Sequence, residues 1–342
     1  MTASLSVSTL DQFRLLLKDL PGPDEAAAAQ ARDREPKLTK PQGSLGRLEH
    51  LSQWLSAWQG RHPPRMVRAS ACVFAGNHGV TRRGVSAFPA EVTTQMVANF
   101  EAGGAAINQL CQTFGVDLRV EAMALDQPTR DITEEAAMDE TACVQALSLG
   151  LSVVEDDMDV LCLGEMGIGN TTSAAALCHA LHGGAASQWT GPGAGVKGEA
   201  LRRKAVIVSE AVALHKDQAA DALDILRRLG GRELAAIAGA VAAARIKRVP
   251  VMLDGYVCTA AAAVLHAQAP GALDHCQVGH ASAEPGHMLL LGEMGVEPLL
   301  KLDMRLGEAS GAVLAVGLLK AAVACHGGMA TFGGAGVSGR ED

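Results

Sequence analysis

The run Gly164-Glu165-Met166-Gly167-Ile168-Gly169-Asn170-Thr171-Thr172 gathers three glycines, one carboxylate and a polar helix start within nine residues. It follows the apolar run Val160-Leu161-Cys162-Leu163, which reads as a buried strand, and precedes Ser173-Ala174-Ala175-Ala176-Leu177, which reads as a helix. Glycines let backbone N–H groups approach a ligand closely, and a helix N-terminus favours an anion there. A carboxylate beside such a cradle repels a plain phosphate. The combination points to chemistry on a phosphorylated substrate that develops positive charge. The same spacing also suits an ordinary glycine turn. It is neither a P-loop, since no Gly-Lys-Ser/Thr follows, nor a dinucleotide fingerprint, whose third glycine is replaced by Thr172.

Other segments offer companions. Gly191-Pro192-Gly193-Ala194-Gly195 is followed by Lys197, Arg202, Arg203 and Lys204. One of these cations suits a phosphate, while a solvated helix face suits most of them. Lys204 falls on a different side of the helix from Arg202. In Ser282-Ala283-Glu284, a hydroxyl at a strand end suits a phosphate oxygen, and a helix cap fits equally well. Glu308, in Gly307-Glu308-Ala309-Ser310-Gly311-Ala312, opens the last apolar helix. Desolvation there raises a carboxyl pKa and improves a base, whereas a glutamate is also simply favoured at a helix N-terminus. Asp254 ends a strand, placed to bond a ribose hydroxyl or to cap the next helix. His78 and His280 lie in Gly-flanked loops without a second ligand at metal spacing, so no metal is expected. No Gly-x-Ser-x-Gly elbow is present.

These loops need a scaffold. Apolar strand-like runs at Ala69 to Ala75, Val116 to Ala124, Val160 to Leu163, Pro250 to Leu253 and near Cys276 to His280 alternate with helical patterns. The helical patterns include Leu48 to Trp58, Ala90 to Phe100, Lys197 to Leu214, Glu233 to Arg245, Val257 to Ala267 and Ala309 to Cys325. The alternation predicts an α/β fold with an open, mostly parallel, Rossmann-like sheet covered by helices on both faces. The functional loops should lie at the carboxyl ends of its strands. Leu291-Gly292-Glu293-Met294-Gly295 copies Leu163 to Gly167 but lacks the following Gly-Asn-Thr-Thr, and reads as a chance echo.

Composition bounds the function. The 342 residues are 48% hydrophobic and only 3% aromatic, so the core relies on close Ala and Gly packing. A net charge of −8 and no long basic run argue against nucleic acid as partner. The eight cysteines are scattered through apolar runs without a C-x-x-C pair, as buried cytosolic thiols are. No secretion signal is read at the N-terminus. No membrane span is expected, Gly311 to Cys325 coming closest but interrupted by Gly317 and Lys320.

Taken together, the loops match one family. The chain resembles the nicotinate-nucleotide–dimethylbenzimidazole phosphoribosyltransferases. The resemblance rests on Thr39-Lys40-Pro41-Gln42-Gly43-Ser44-Leu45-Gly46-Arg47-Leu48-Glu49, Gly76-Asn77-His78-Gly79-Val80, Glu91-Val92-Thr93-Thr94-Gln95-Met96-Val97, the Gly164 run, Leu253-Asp254-Gly255, Ser282-Ala283-Glu284 and the Gly307 run. It implies transfer of the phosphoribosyl group of nicotinate mononucleotide to 5,6-dimethylbenzimidazole, with inversion at the anomeric carbon. The products would be α-ribazole 5′-phosphate and nicotinate, made during cobalamin nucleotide-loop assembly. It implies Glu308 as general base, and Glu165 as a second carboxylate that positions substrate or stabilises an oxocarbenium-like transition state. Gly167, Lys204 and Ser282 match positions the family uses near the nucleotide phosphate, and Gln95, Phe88 and Pro89 would line the benzimidazole site; from the loops themselves, Gly169, Asn170, Thr171 and Asp254 are expected to join in holding the phosphate and ribose. It further implies no cofactor and a cytoplasmic homodimer. A large α/β domain over 65–304 would join a small helical domain from 1–64 and 305–342. Two departures stand out. Ala309 occupies a position where the family commonly has glycine, and its methyl group is expected near the ligand. Asn77 stands where aspartate is frequent.

Overall fold

A computed structural model describes residues 5–338. The N-terminal part is helical: α1 (Leu10–Leu16), α2 (Glu25–Arg34) and α3 (Arg47–Gln59) precede β1 (Ala69–Ala75). Then come α4 (Glu91–Glu101), α5 (Ala106–Phe114), β2 (Val116–Ala122), α6 (Glu140–Ser152), β3 (Val160–Met166), α7 (Asn170–His182) and α8 (Ala186–Trp189). The chain continues through α9 (Gly198–His215), α10 (Ala222–Leu229), α11 (Arg232–Lys247), β4 (Val251–Leu253), α12 (Tyr256–Gln268) and β5 (Cys276–Val278). It ends with β6 (His280–Ala281), α13 (Pro285–Met294), β7 (Leu300–Lys301), α14 (Ser310–Gly328) and α15 (Phe332–Ala335).

Strands β1 to β5 form one parallel sheet in the order β2-β1-β3-β4-β5, and β6 pairs with β7 in a separate two-stranded ribbon. The period of two along each strand explains the layers. Cys72, Phe74, Leu161, Leu163, Val251 and Leu253 point into a core built with α6, α7, α10, α11 and α12. Ala71, Val73, Val160, Cys162 and Met252 point the other way, onto α3, α5 and α14. Both faces are apolar because helices cover both, as the sequence pattern predicts.

Strand β3 runs further than expected. Gly164, Glu165 and Met166 pair in register with Val73, Phe74 and Ala75, so Glu165 stands on the end of a strand rather than in the loop after it. A neighbouring strand supplies backbone partners that override the turn preference of the glycine.

Segments near the two ends of the chain meet: Leu38 bridges to Thr331, and the Arg34 Nε donates to the His326 carbonyl at 2.8 Å. Yet α14 lies on the sheet. Val313, Val316 and Leu319 share one core with Leu51 and Leu55 of α3 and with Val73, Cys162 and Met252. The expected divisions at 64/65 and 304/305 run through this common core. Among the described residues α14 is the one helix long and apolar enough to cross a membrane, and here its apolar side covers the sheet.

Candidate active site

In a sheet of this order, the crossovers from β1 and β3 leave in opposite directions, which opens a crevice at the carboxyl ends of these two strands. A cleft of about 390 Å³ lies there. Its polar lining includes Glu165, Asn170, Thr171, Ser282, Arg305 and Glu308, and Phe88, Val92 and Met96 supply apolar wall. Loops far apart in sequence thus converge because parallel strands end on the same edge.

Glu165 and Glu308 are held together by main chain. Gly307, Glu308 and Ala309 have φ of +85°, +62° and +62°, three consecutive left-handed residues. This turn lets the Glu308 amide donate to the Glu165 carbonyl at 3.1 Å. A left-handed conformation costs an L-residue roughly 1–2 kcal/mol. Burial of Ala309 against β3 holds the turn in place: a Cβ on Gly164 would lie 2.1 Å from the Ala309 nitrogen and 2.5 Å from its Cβ. The Ala309 methyl therefore faces β3, which corrects the expectation that it would approach the ligand.

Burial sets the charge states. The Glu165 carboxyl rises to about 8, first through desolvation and then through Asp254 and Glu233, against one bond donated to its Oε2 by Asn170 Nδ2. The Glu308 carboxyl rises to about 7 through desolvation. A base near neutrality is matched to proton transfer at physiological pH.

The side of the cleft toward α9 is equally well defined. Lys204, on the buried face of α9, is 1% exposed, while Arg202 and Arg203 point to solvent. Its Nζ donates to Thr171 Oγ1 at 2.7 Å and to the Gly191 carbonyl at 3.0 Å. Desolvation lowers the ammonium to about 8, with Glu284 opposing. The Gly191–Gly195 loop is clamped through Gly193, whose N–H donates to Glu284 Oε1 at 2.8 Å and whose carbonyl accepts from Arg305 Nη1 at 2.8 Å. Gly167 packs so closely on the Gly76 carbonyl that a Cβ would come within 2.7 Å.

The structure does not treat all predicted residues alike. Gly167, Asn170, Thr171, Ser282 and Phe88 line the cleft beside the two glutamates. Lys204 reaches it through Thr171. Gly169 (φ +94°) shapes the start of α7 and does not line the cleft. Gln95 and Pro89 are exposed and stand off the wall that Val92 and Met96 of α4 form. Asp254 is buried, and its Oδ1 accepts from the Gly311 and Ala312 N–H groups at 2.7 and 3.0 Å. It caps α14 directly behind Glu308, whereas the next helix, α12, has no side-chain cap at its start, so the expected cap of the following helix is replaced by a cap on a distant one. Burial raises its carboxyl to about 7 despite these two bonds.

Sequence reasoning missed Arg305, the one lysine or arginine on the cleft wall among the described residues. A cation two residues before the Gly307-Glu308 turn was its only signal. It also missed the role of His78, whose Nε2 lies 2.5 Å from Glu233 Oε1 and whose Nδ1 lies 3.1 Å from Ser173 Oγ, all three residues being buried.

Comparison with known proteins adds to this geometry. The sequence model of a phosphoribosyltransferase family matches residues 20–337. The chain is 58% identical over 339 residues to a nicotinate-nucleotide–dimethylbenzimidazole phosphoribosyltransferase of Rhizobium etli (strain CIAT 652), covering 98% of this chain and 100% of that one. It is 57% identical over 338 residues to the enzyme of the same name from Sinorhizobium fredii (strain NBRC 101917 / NGR234), covering 99% and 100%. Among solved structures it is similar to CobT from Thermus thermophilus, with a TM-score of 0.86, 40% identity, and coverage of 92% of this chain and 99% of that one.

Proposed function

Because the chain belongs to the nicotinate-nucleotide–dimethylbenzimidazole phosphoribosyltransferases, enzymes of cobalamin biosynthesis, we propose a division of labour for its cleft residues. Glu308 takes the imidazole N–H proton of 5,6-dimethylbenzimidazole as the other ring nitrogen attacks the anomeric carbon of nicotinate mononucleotide. The C1′–nicotinate bond breaks, its electron pair neutralises the pyridinium, and the configuration inverts to give α-ribazole 5′-phosphate. The nicotinate is a good leaving group because it departs from a cation, so the protein must supply chiefly position and a base.

The observation that carries this reading is the 3.1 Å main-chain bond between Glu308 and Glu165 on the wall of one cleft. It supports a base at Glu308 and a positioning role for Glu165. Lys204, Thr171, Ser282 and the N–H groups of the Gly167–Thr171 loop take the nucleotide phosphate and ribose. Phe88, with Val92 and Met96, takes the apolar benzimidazole. We assign Asp254 to holding α14 rather than to the ribose, and place the enzyme in the cytoplasm as a homodimer.

The test is chromatographic. Incubation with nicotinate mononucleotide should release nicotinate only when 5,6-dimethylbenzimidazole is added, in step with α-ribazole phosphate. Release without the base would make the cleft a hydrolase instead.

A further inference from the structure

Besides Glu284, which faces the cations Lys204 and Arg305, four carboxyl groups gather behind and around the cleft: Glu165 on β3, Glu233 in the first turn of α11, Asp254 after β4 and Glu308 before α14. Among the described residues no lysine or arginine forms an ion pair with any of them; their ion-pair partners are His78 for Glu233 and His280, at 3.6 Å, for Asp254. Like charges this close and this buried do not all ionise together. We propose that Glu165 is the member that keeps its proton, so that the substrate meets a hydrogen-bond donor at Glu165 and a single ionising base at Glu308. The inference deepens the reading of the cleft given above and rests on it.

The partners of each group decide the allocation. Asp254 receives two backbone N–H groups at the start of α14, the positive end of a helix. Glu233 lies at the start of α11 and bonds the His78 ring, itself fixed by Ser173. Each therefore has a fixed partner on one oxygen, the backbone N–H pair for Asp254 and the His78 ring for Glu233. Glu308 is perturbed by burial alone. Glu165 has one donor, Asn170 Nδ2, on its Oε2, and it stands on the central strand facing Asp254, Glu233 and Glu308 together, with the neutral Cys258 thiol beside it. The repulsion converges there. A proton on Oε1, the oxygen that lies against Gly307, completes the pattern: Asn170 donates to one oxygen and the other carries O–H at the cleft wall. The rise of the Glu165 carboxyl to about 8, against about 7 for Asp254 and for Glu308, agrees with this order.

An infrared difference spectrum of the free protein at neutral pH, parent against Glu165→Gln, tests the proton directly. A protonated-carboxyl C=O stretch should be present in the parent and lost in the variant. Its absence from the parent overturns the inference. Should Glu165→Gln not fold, the pH at which this band titrates is compared between the parent and Glu233→Gln. A downward shift on removing the Glu233 charge is expected, and an unchanged titration overturns the inference. Kinetics give a second readout. Glu165→Gln, whose amide N–H replaces the acid O–H, should lose less than about tenfold in kcat, while Glu165→Ala loses the roughly 10²–10³-fold typical of a deleted donor. Equal, large losses in both overturn it. Glu308→Gln separates the two readings: if that variant turned over normally the base assignment would fail, while the Glu165 band would still decide the present one.

Discussion

The backbone amide of Glu308 donates to the backbone carbonyl of Glu165 at 3.1 Å, so two carboxylates 143 positions apart in sequence are fixed to each other by main chain rather than by side-chain contact. Their relative position therefore survives changes in either side chain, and substitutions can test the chemistry without dismantling the site.

Glu308→Gln keeps the shape and removes the carboxylate proposed as the base. Turnover should fall by roughly 10²–10⁴-fold, the usual share of general base catalysis, with the fold retained by circular dichroism. Turnover near that of the parent at neutral pH would refute the assignment.

The pH dependence follows from two raised carboxyls. Glu308 must be ionised to act, so kcat/KM should rise with pH through about 7. If Glu165 acts as the acid, the rate should fall again through about 8. The profile is thus a narrow bell, and a flat profile across this range would contradict both assignments.

Stability should respond in the opposite direction. The Glu165 carboxyl titrates at about 8 in the folded protein, against an ordinary value of 4.5. Between these values the folded state holds a proton that the unfolded state has released. The resulting stabilisation is complete below about 4.5 and is lost as pH rises through about 8. Glu165→Gln removes this linkage. In differential scanning calorimetry its Tm should decline less than the parent's between neutral and mildly alkaline pH.

Gly164→Ala places a methyl group 2.1 Å from the Ala309 nitrogen, a main-chain atom that cannot step aside alone. We expect a loss of about 1–3 kcal/mol, as for other overpacked cores. The displaced Glu308 turn should also cost activity well beyond the unfolded fraction. Parent-like kcat in the folded variant would show that the turn is tolerant of such shifts.

Lys204→Met keeps most of the buried volume and removes the charge beside Thr171. The KM for nicotinate mononucleotide should rise by about 10- to 100-fold, the worth of a charge-assisted bond, with little change toward the benzimidazole. An unchanged nucleotide KM would move the phosphate elsewhere.

How far the sequence carried is clearest at a repeated pentapeptide. Leu163-Gly164-Glu165-Met166-Gly167 and Leu291-Gly292-Glu293-Met294-Gly295 are identical. The first ends β3, with Glu165 buried at the cleft, and the second ends α13, with Glu293 in solvent. What followed each copy was legible: Gly-Asn-Thr-Thr marks a loop entering a helix, and its absence marked the second copy as an echo. The strands and most helices were legible too, because their hydrophobic periods are local. Motifs also picked out Glu165 and Glu308, which the fold brings to one cleft wall. Local patterning therefore determined the α/β class, the order of the elements and the chemistry-bearing loops.

Tertiary structure decided the rest. It extended β3 through Glu165 by pairing with β1, turned Asp254 into the cap of α14, and pointed the Ala309 methyl at Gly164. It took Gln95 off the cleft wall and put Arg305 on it. It also set Glu233 beneath the site, where no motif announced it, against His78 of the Gly76–Val80 motif. Each of these depends on which strand lies beside which, and on how much water remains around a charge. Those are properties of segments brought together from distant parts of the chain, so a charge state or a cap partner cannot be read from the residues that flank it.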